Sequence, residues 1–339
     1  WYRAEVPTAG QGPPACGCFL TPAQKPTSRL KVVPVQSRQV PGRVRPHRGT
    51  RIPMLLTLTA ISLRSMLVKG KSGKPKLDLM DLPLYARQDL GLHGLNLSSE
   101  LLAGVSRERL EKLRERADKA GCACLLLIES EPQPFGDKSD AAAAGAVART
   151  QKVIQAAHIL GCSAAAVKAA GADDAVVFGR TAERLRKAVE RAERLELNIL
   201  LSPHDGLTAT PERITELIKK VGGFRVGTFP DFQAAAASPD PVAYLRRLTP
   251  YAAVVSASTV KFVAEKGAEG DKADAPVKHQ PYSLETMVEA IMSVGYDGTL
   301  AIDYRGTGDA TLGVLRSRAV LERLLQGDPE MSGGPEGAD

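Results

Sequence analysis

Thr181-Ala-Glu-Arg-Leu-Arg-Lys-Ala-Val-Glu-Arg-Ala-Glu-Arg-Leu195, then Leu197-Asn-Ile-Leu-Leu201, then Ser202-Pro203-His204-Asp205, is the stretch whose reading decides the fold. Leu185, Ala188, Ala192 and Leu195 recur at helical spacing with charges on the opposite face, which predicts an amphipathic helix. The short apolar run after it suits a strand buried on both faces. The polar quartet marks where that strand ends. Helix, buried strand and polar strand end form one step of a parallel α/β sheet.

The same step recurs on both sides. The first strand is expected at Leu55–Ser62 and a helix at Leu79–Leu90, broken by Pro83. Leu92–Ser98 is the second strand, Arg107–Ala120 a helix, Cys122–Glu129 the third strand and Ala141–Leu160 a helix. Ser163–Lys168 is the fourth strand and Leu197–Leu201 the fifth. Thr210-Pro211 opens a helix as N-cap and first helical residue. Phe224–Thr228 is the sixth strand, Asp240–Leu248 a helix and Ala253–Ala257 the seventh strand. Ser283 caps a helix to Val294, Thr299–Asp303 is the eighth strand, and Thr311–Leu325 closes the pattern. Strict alternation implies parallel strands with right-handed crossovers. Eight units in this length predict a (β/α)8 barrel over residues 54–326. An open doubly wound sheet would want a glycine-rich turn after the first strand, where Ser62-Leu63-Arg64-Ser65 stands. A charged, glycine-bearing insertion at 264–280 follows strand seven and could cover the mouth, though a mobile solvated loop is the blander expectation.

Residues 1–53 break the pattern. They hold nine of the 23 prolines, and nine Lys or Arg against one acid, Glu5. Proline removes backbone donors and fixes φ, so a disordered basic tail is expected there, with a second disordered tail at 327–339. One hypothesis is that 1–53 is translated from a misplaced start, Met54 being the natural first residue. Arg43, Arg45, Arg48 and Arg51 before Leu55–Ile61 resemble the start of a secretory signal. The apolar run, however, is short, holds two threonines and lacks a convincing cleavage site, so a strand is preferred.

The net charge of +7 belongs to that tail, because the remaining residues hold 36 bases and 37 acids. A neutral barrel lacks the footprint of specific nucleic-acid binding. No run reaches the roughly 20 apolar residues of a membrane span. The five cysteines show no CxxC or metal-finger spacing, so a reducing, cytoplasmic compartment and structural thiols are expected.

In a barrel, function collects where the strands end. Those positions hold Asn96 and Ser98; Glu129 and Glu131; Lys168; Ser202, His204 and Asp205; Asp231 and Gln233; Ser256, Ser258 and Lys261; and Asp303, Tyr304 and Arg305.

Four segments carry a resemblance: Ser-Pro-His-Asp-Gly-Leu-Thr (202–208), Val-Gly-Thr-Phe-Pro-Asp-Phe (226–232), Pro-Tyr-Ala (250–252) and Gly-Tyr-Asp-Gly-Thr-Leu-Ala-Ile-Asp-Tyr-Arg-Gly (295–306). In order and spacing they resemble the xylose isomerase-like barrel family, which includes sugar phosphate isomerases and epimerases and an AP-endonuclease branch. The resemblance implies one divalent metal, Mn²⁺, Mg²⁺ or Zn²⁺, held by a Glu, an Asp, a His and a Glu at the ends of strands five to eight. Asp231 and Asp303 stand at two of those positions and are the metal ligands it implies. Ser202 and Ser256 replace the Glu and the His, and Ser258 stands where a Lys is common. His204 matches the His of the family's Glu-Asn-His segment. Asp303 and His204 are therefore the candidate catalytic residues, with Glu129, Lys168, Ser202, Ser256, Ser258 and Arg305 as candidate substrate contacts.

A hard cation draws most of its binding from carboxylates, and a serine hydroxyl is no base near neutral pH without activation. Three readings follow in order. One is a sugar or sugar-phosphate isomerase or epimerase with an altered, weakened metal site. The next is a barrel without catalysis that binds a sugar-like ligand or a partner, with no metal. The last is a metal-dependent phosphodiesterase, disfavoured because the barrel has only His93, His158, His204 and His279. Gly306-Thr307-Gly308-Asp309 offers backbone donors for a phosphate, or is a plain turn, and Arg305 beside it could pair a phosphate or a carboxylate. The expected partner is a small sugar or sugar phosphate, with no specific nucleic acid and no membrane; the sequence carries no sign of an oligomeric state.

Overall fold

A computed structural model describes residues 54–69, 73–264 and 276–326. The two expected tails, 1–53 and 327–339, and the middle of the insertion, 265–275, lie outside the described residues.

The strands are β1 (Leu55–Thr59), β2 (Gly94–Ser98), β3 (Ala123–Ile128), β4 (Ala164–Lys168), β5 (Asn198–Ser202), β6 (Val226–Thr228), β7 (Val254–Thr259), β8 (Lys261–Ala264), β9 (Val277–Gln280) and β10 (Thr299–Tyr304). Eight of them pair in parallel in the order β6-β5-β4-β3-β2-β1-β10-β7. The ring closes between β7 and β6 through two isolated parallel bridges, Thr228 with Ala252 and Asp231 with Ser256. There the Ser256 N–H donates to the Pro230 carbonyl at 2.8 Å. Gly227 permits this seam, because a Cβ at that position would run into the Tyr251 carbonyl oxygen. The architecture is the expected (β/α)8 barrel. The extra strands β8 and β9 form an antiparallel hairpin that carries the insertion after the seventh barrel strand.

Outer helices return from each strand end to the next strand's start. Eight of them begin on a side chain that accepts a first-turn N–H: Ser106, Ser139, Asp174, Thr210, Asp231, Asp240, Ser283 and Asp309. Each such cap stabilises its helix by about 1 kcal/mol. The helix read from Thr181 starts earlier, at Ala175, because Asp174 caps Val176 and Val177. Pro83 opens the helix Leu82–Gln88 rather than breaking one, since its missing N–H falls in the first turn. The first strand stops at Thr59, where Ala60–Leu63 turns into a 3₁₀ segment.

The core has two parts. The larger one lies between sheet and helices and contains Leu58, Leu95, Leu127, Val167, Leu201, Val255 and Ile302. The smaller one, Leu126, Ala164, Ala166, Leu200, Phe229, Val254 and Ala301, fills the barrel interior. Since side chains alternate along a strand, the second set fixes which rim positions face inward. Lys168, Ser202, Ser256, Ser258 and Asp303 share the inward phase. Glu129 follows Ile128 and has the outward phase. Cys122, Cys124 and Cys162 are buried free thiols, and burial pushes the first two up to about 12.

Candidate functional site

The centre of the rim is an arginine between two carboxylates. Arg305 Nη2 donates to Asp231 Oδ2 at 2.6 Å and Nη1 to Oδ1 at 3.1 Å. Nε and Nη2 donate to Asp303 Oδ2 at 2.9 and 2.7 Å, and Nη1 also donates to Gln233 Oε1 at 2.8 Å. Asp303 is the next-to-last residue of β10, Asp231 follows β6 by three residues, and β7 runs between them in the sheet. Burial opposes the guanidinium charge, but the two carboxylates outweigh it and hold Arg305 above the ordinary arginine value. Asp231 is committed further. Its Oδ1 accepts the Ala234 N–H at 2.9 Å, capping the helix Phe232–Ala236, and the Ser258 hydroxyl at 3.3 Å. Ser258 in turn accepts the Gln233 N–H at 2.8 Å, and the Tyr282 hydroxyl donates to the Ser258 carbonyl at 2.6 Å.

Asp303 Oδ1 is different. It is buried and has no hydrogen-bond partner. Burial raises the Asp303 pKa, Arg305 lowers it, Asp231 raises it again and the nearby Ser62 hydroxyl lowers it, with the net direction upward. Two neighbours on the inner wall also carry buried, unpartnered oxygens: Thr59 Oγ1 and Asn96 Oδ1. Thr59 is the register partner of Asn96, and Leu58 before it is the partner of Ile302 before Asp303. Three adjacent strands thus present three orphaned oxygens on one side of the mouth. Half a ring away, Lys168 ends β4 beside its register partner Ser202. Lys168 is half-buried, and its ammonium has no partner among the described residues.

The other candidate residues sit apart. Glu129 has no exposed surface. It accepts Arg149 Nε at 2.7 Å and Nη2 at 3.3 Å, the Ser99 hydroxyl at 3.0 Å and the Glu131 N–H at 3.1 Å. His204 lines a cavity of about 830 Å³ with Asp205, Tyr244 and Arg247, whose walls include none of Asp231, Asp303 or Arg305. Ser202 and Ser256 are buried in the rim. Arg305 also lines a cavity of about 490 Å³ with Lys261 and the Gly306–Asp309 turn. Thr59, Arg149 and Tyr282 escape a reading of strand ends, because the first strand is expected to run on to Ser62 and the other two lie on later elements.

These donors do not fit a divalent ion. Both carboxylates already accept from Arg305, and the remaining family positions offer only the hydroxyls of Ser202 and Ser256. Among the described residues, no group of three or more His, Cys, Asp or Glu is placed to hold a metal. The ligand pair expected from the sequence is present, but it is spent on an arginine.

The family model of the xylose isomerase-like TIM barrel matches residues 85–324, and the chain belongs to that family. Solved structures agree on the fold. An L-ribulose 3-epimerase superposes with a TM-score of 0.63 at 15% identity, covering 80% of this chain and 95% of that one. A D-psicose 3-epimerase with D-tagatose from Clostridium cellulolyticum H10 gives 0.61 at 13% identity, covering 79% and 97%. A xylose isomerase-like TIM barrel protein from Mycobacterium smegmatis in complex with magnesium gives 0.58 at 15% identity, covering 81% and 97%. No curated protein matches the chain by sequence. No helix among the described residues is long and apolar enough to cross a membrane.

Proposed function

We propose that the chain is a sugar or sugar-phosphate isomerase or epimerase that takes a polyhydroxylated carbonyl compound across the mouth, between Lys168 and the Thr59–Asn96–Asp303 wall. The observation that carries this reading is the row of three orphaned buried oxygens. Leaving a buried polar atom unpaired costs about 1–3 kcal/mol, and the row includes two acceptors that hydroxyl groups would satisfy. Ketose epimerases among the structural neighbours make a sugar the natural candidate.

In this reading Lys168 offers its ammonium to the carbonyl or phosphate oxygen. Asp303 Oδ1 takes the proton from the carbon beside the carbonyl and delivers it to the former carbonyl carbon of the resulting enediol, while a proton passes between the two enediol oxygens, which isomerises the sugar. Inversion at one carbon would need a second proton donor on the opposite face. Burial raises its pKa above the ordinary carboxylate value, the direction that favours a carboxyl able to hold a proton. Ser202 and Ser256 stand where they can hold hydroxyls. Ser258 acts through Asp231, and Glu129 acts through the packing of β3. The partner is then a small sugar rather than a nucleic acid or a membrane, and the three described free thiols suit a reducing, cytoplasmic setting.

A second reading, binding without catalysis, is favoured by one observation: Arg305 has no donor left for a ligand. Solvent-deuterium incorporation separates the two. D-Psicose, D-tagatose and L-ribulose are incubated with the protein in D₂O and followed by NMR. Deuterium at the carbon beside the carbonyl supports the enzyme. Binding without deuterium supports the non-catalytic barrel and sinks the assignment of Asp303 as the acid–base group. Neither binding nor exchange overturns both.

A further inference from the structure

We infer that Arg305 is the chain's own cation, a tethered guanidinium seated between the β6 and β10 carboxylates where the family resemblance puts a divalent ion, so that the mouth is cross-linked without metal.

A guanidinium has five N–H groups in a fixed planar fork. All five are used: two on Asp231, two on Asp303 and one on Gln233. The pairing with Asp231 is side-on and bidentate, the arrangement in which Arg outperforms a point charge. The group is also local. Arg305 is two residues beyond Asp303, and its own N–H donates to the Thr259 carbonyl at 2.7 Å. An entering ion would have to displace the four bonds to the carboxylates made by a cation that cannot diffuse away. In return it would gain two carboxylates and neutral hydroxyls, whereas a hard divalent ion seeks about six oxygen donors.

The placement explains a second feature. The β6–β7 join consists of two isolated bridges rather than a ladder. The Asp231–Arg305–Asp303 bridge spans that join, from three residues beyond β6 to the next-to-last residue of β10, passing over β7. A metal shared among strand ends would tie the same strands. Here a covalently attached arginine ties them, and Ser258 and Gln233 hold the Asp231 side in place.

An ordinary rim salt bridge would give the same distances, so the test must report on metal. Wild-type protein is titrated with Mn²⁺ alone, with free Mn²⁺ read by electron paramagnetic resonance and the melting temperature recorded with Mn²⁺ and with EDTA. No Mn²⁺ bound at millimolar concentration and an unchanged melting temperature are expected. Stoichiometric binding at micromolar Mn²⁺ overturns the inference. In Arg305→Ala the two carboxylates are released, so Mn²⁺ affinity should rise at least about tenfold and Mn²⁺ should raise the melting temperature. Adding Asp231→Asn should cancel the gain. A folded variant that responds to Mn²⁺ as wild type does also overturns the inference. If Arg305→Ala does not fold, Arg305→Gln is titrated in its place, and the wild-type titration decides by itself. No sugar enters this experiment, so its failure is separate from failure of the proposed activity.

Discussion

Asp231 and Arg305 meet side-on across the β6–β7 seam, with Nη2 2.6 Å from Oδ2 and Nη1 3.1 Å from Oδ1. Asp231 is 8% exposed, while 37% of the Arg305 side chain is open to solvent. The pair is therefore buried on the side that suffers when it breaks.

Arg305→Ala should destabilise the fold by about 2 kcal/mol, below the roughly 3–5 kcal/mol of a fully buried pair because the arginine is partly solvated. Asp231→Ala should cost about 1 kcal/mol more, since it also removes the cap on Phe232–Ala236. Urea unfolding of both variants and the double variant measures the coupling. Purely additive losses would mean that the pair contributes nothing.

Glu129 and Arg149 should matter to stability and not to ligand binding. The carboxylate is inaccessible and faces the outer layer, while 47% of the Arg149 side chain is exposed. Arg149→Met leaves a buried charge with only Ser99 and the Glu131 N–H, at a cost of about 2–3 kcal/mol. Ligand affinity should stay within about twofold of wild type. A large loss of affinity with unchanged stability would put Glu129 back at the mouth.

His279 predicts a pH effect on the hairpin. Its Nε2 accepts the Val260 N–H at 2.9 Å and its Nδ1 lies 2.8 Å from the Tyr282 carbonyl, so the assigned tautomer is neutral with the proton on Nδ1. Burial lowers its pKa, opposed by the bond to Tyr282. With the folded value below the unfolded value of about 6.5, the contribution is complete above that pH and is lost as pH falls through the folded value. Amides of β8 and β9 should therefore exchange faster at about pH 5 than at about pH 7, beyond the intrinsic rate change. His279→Gln should abolish the difference, and an unchanged profile in that variant would contradict the assignment.

Much of this fold is legible in the sequence. Arg107–Ala120 has the same bounds in the structure as its heptad of Leu110, Leu113 and Ala117 implies. Where the structure differs from the reading, a local contact outweighs pattern: Asp174 accepts the Val176 and Val177 N–H groups, so the helix begins at Ala175, before Thr181. The rim positions of Asp231 and Asp303 are legible too, because they follow apolar runs. That Arg305 joins them is not, since it depends on the β10–β7 register and on the closing bridges. Glu129 illustrates a different limit. Cys122–Glu129 is almost wholly apolar, so alternation has no visible phase, and only the packing of Leu126 and Ile128 shows which way the next residue faces.

The most direct measurement is calorimetric titration of D-psicose, D-tagatose and L-ribulose into wild-type protein, Lys168→Ala and Asp303→Asn, with folding of each verified by circular dichroism. Wild type should bind at least one of the sugars, and each substitution should weaken that binding by at least about tenfold, the loss of one charge-assisted hydrogen bond. A wild-type protein that binds none of them, or variants that bind as wild type does, would contradict a sugar site between Lys168 and Asp303.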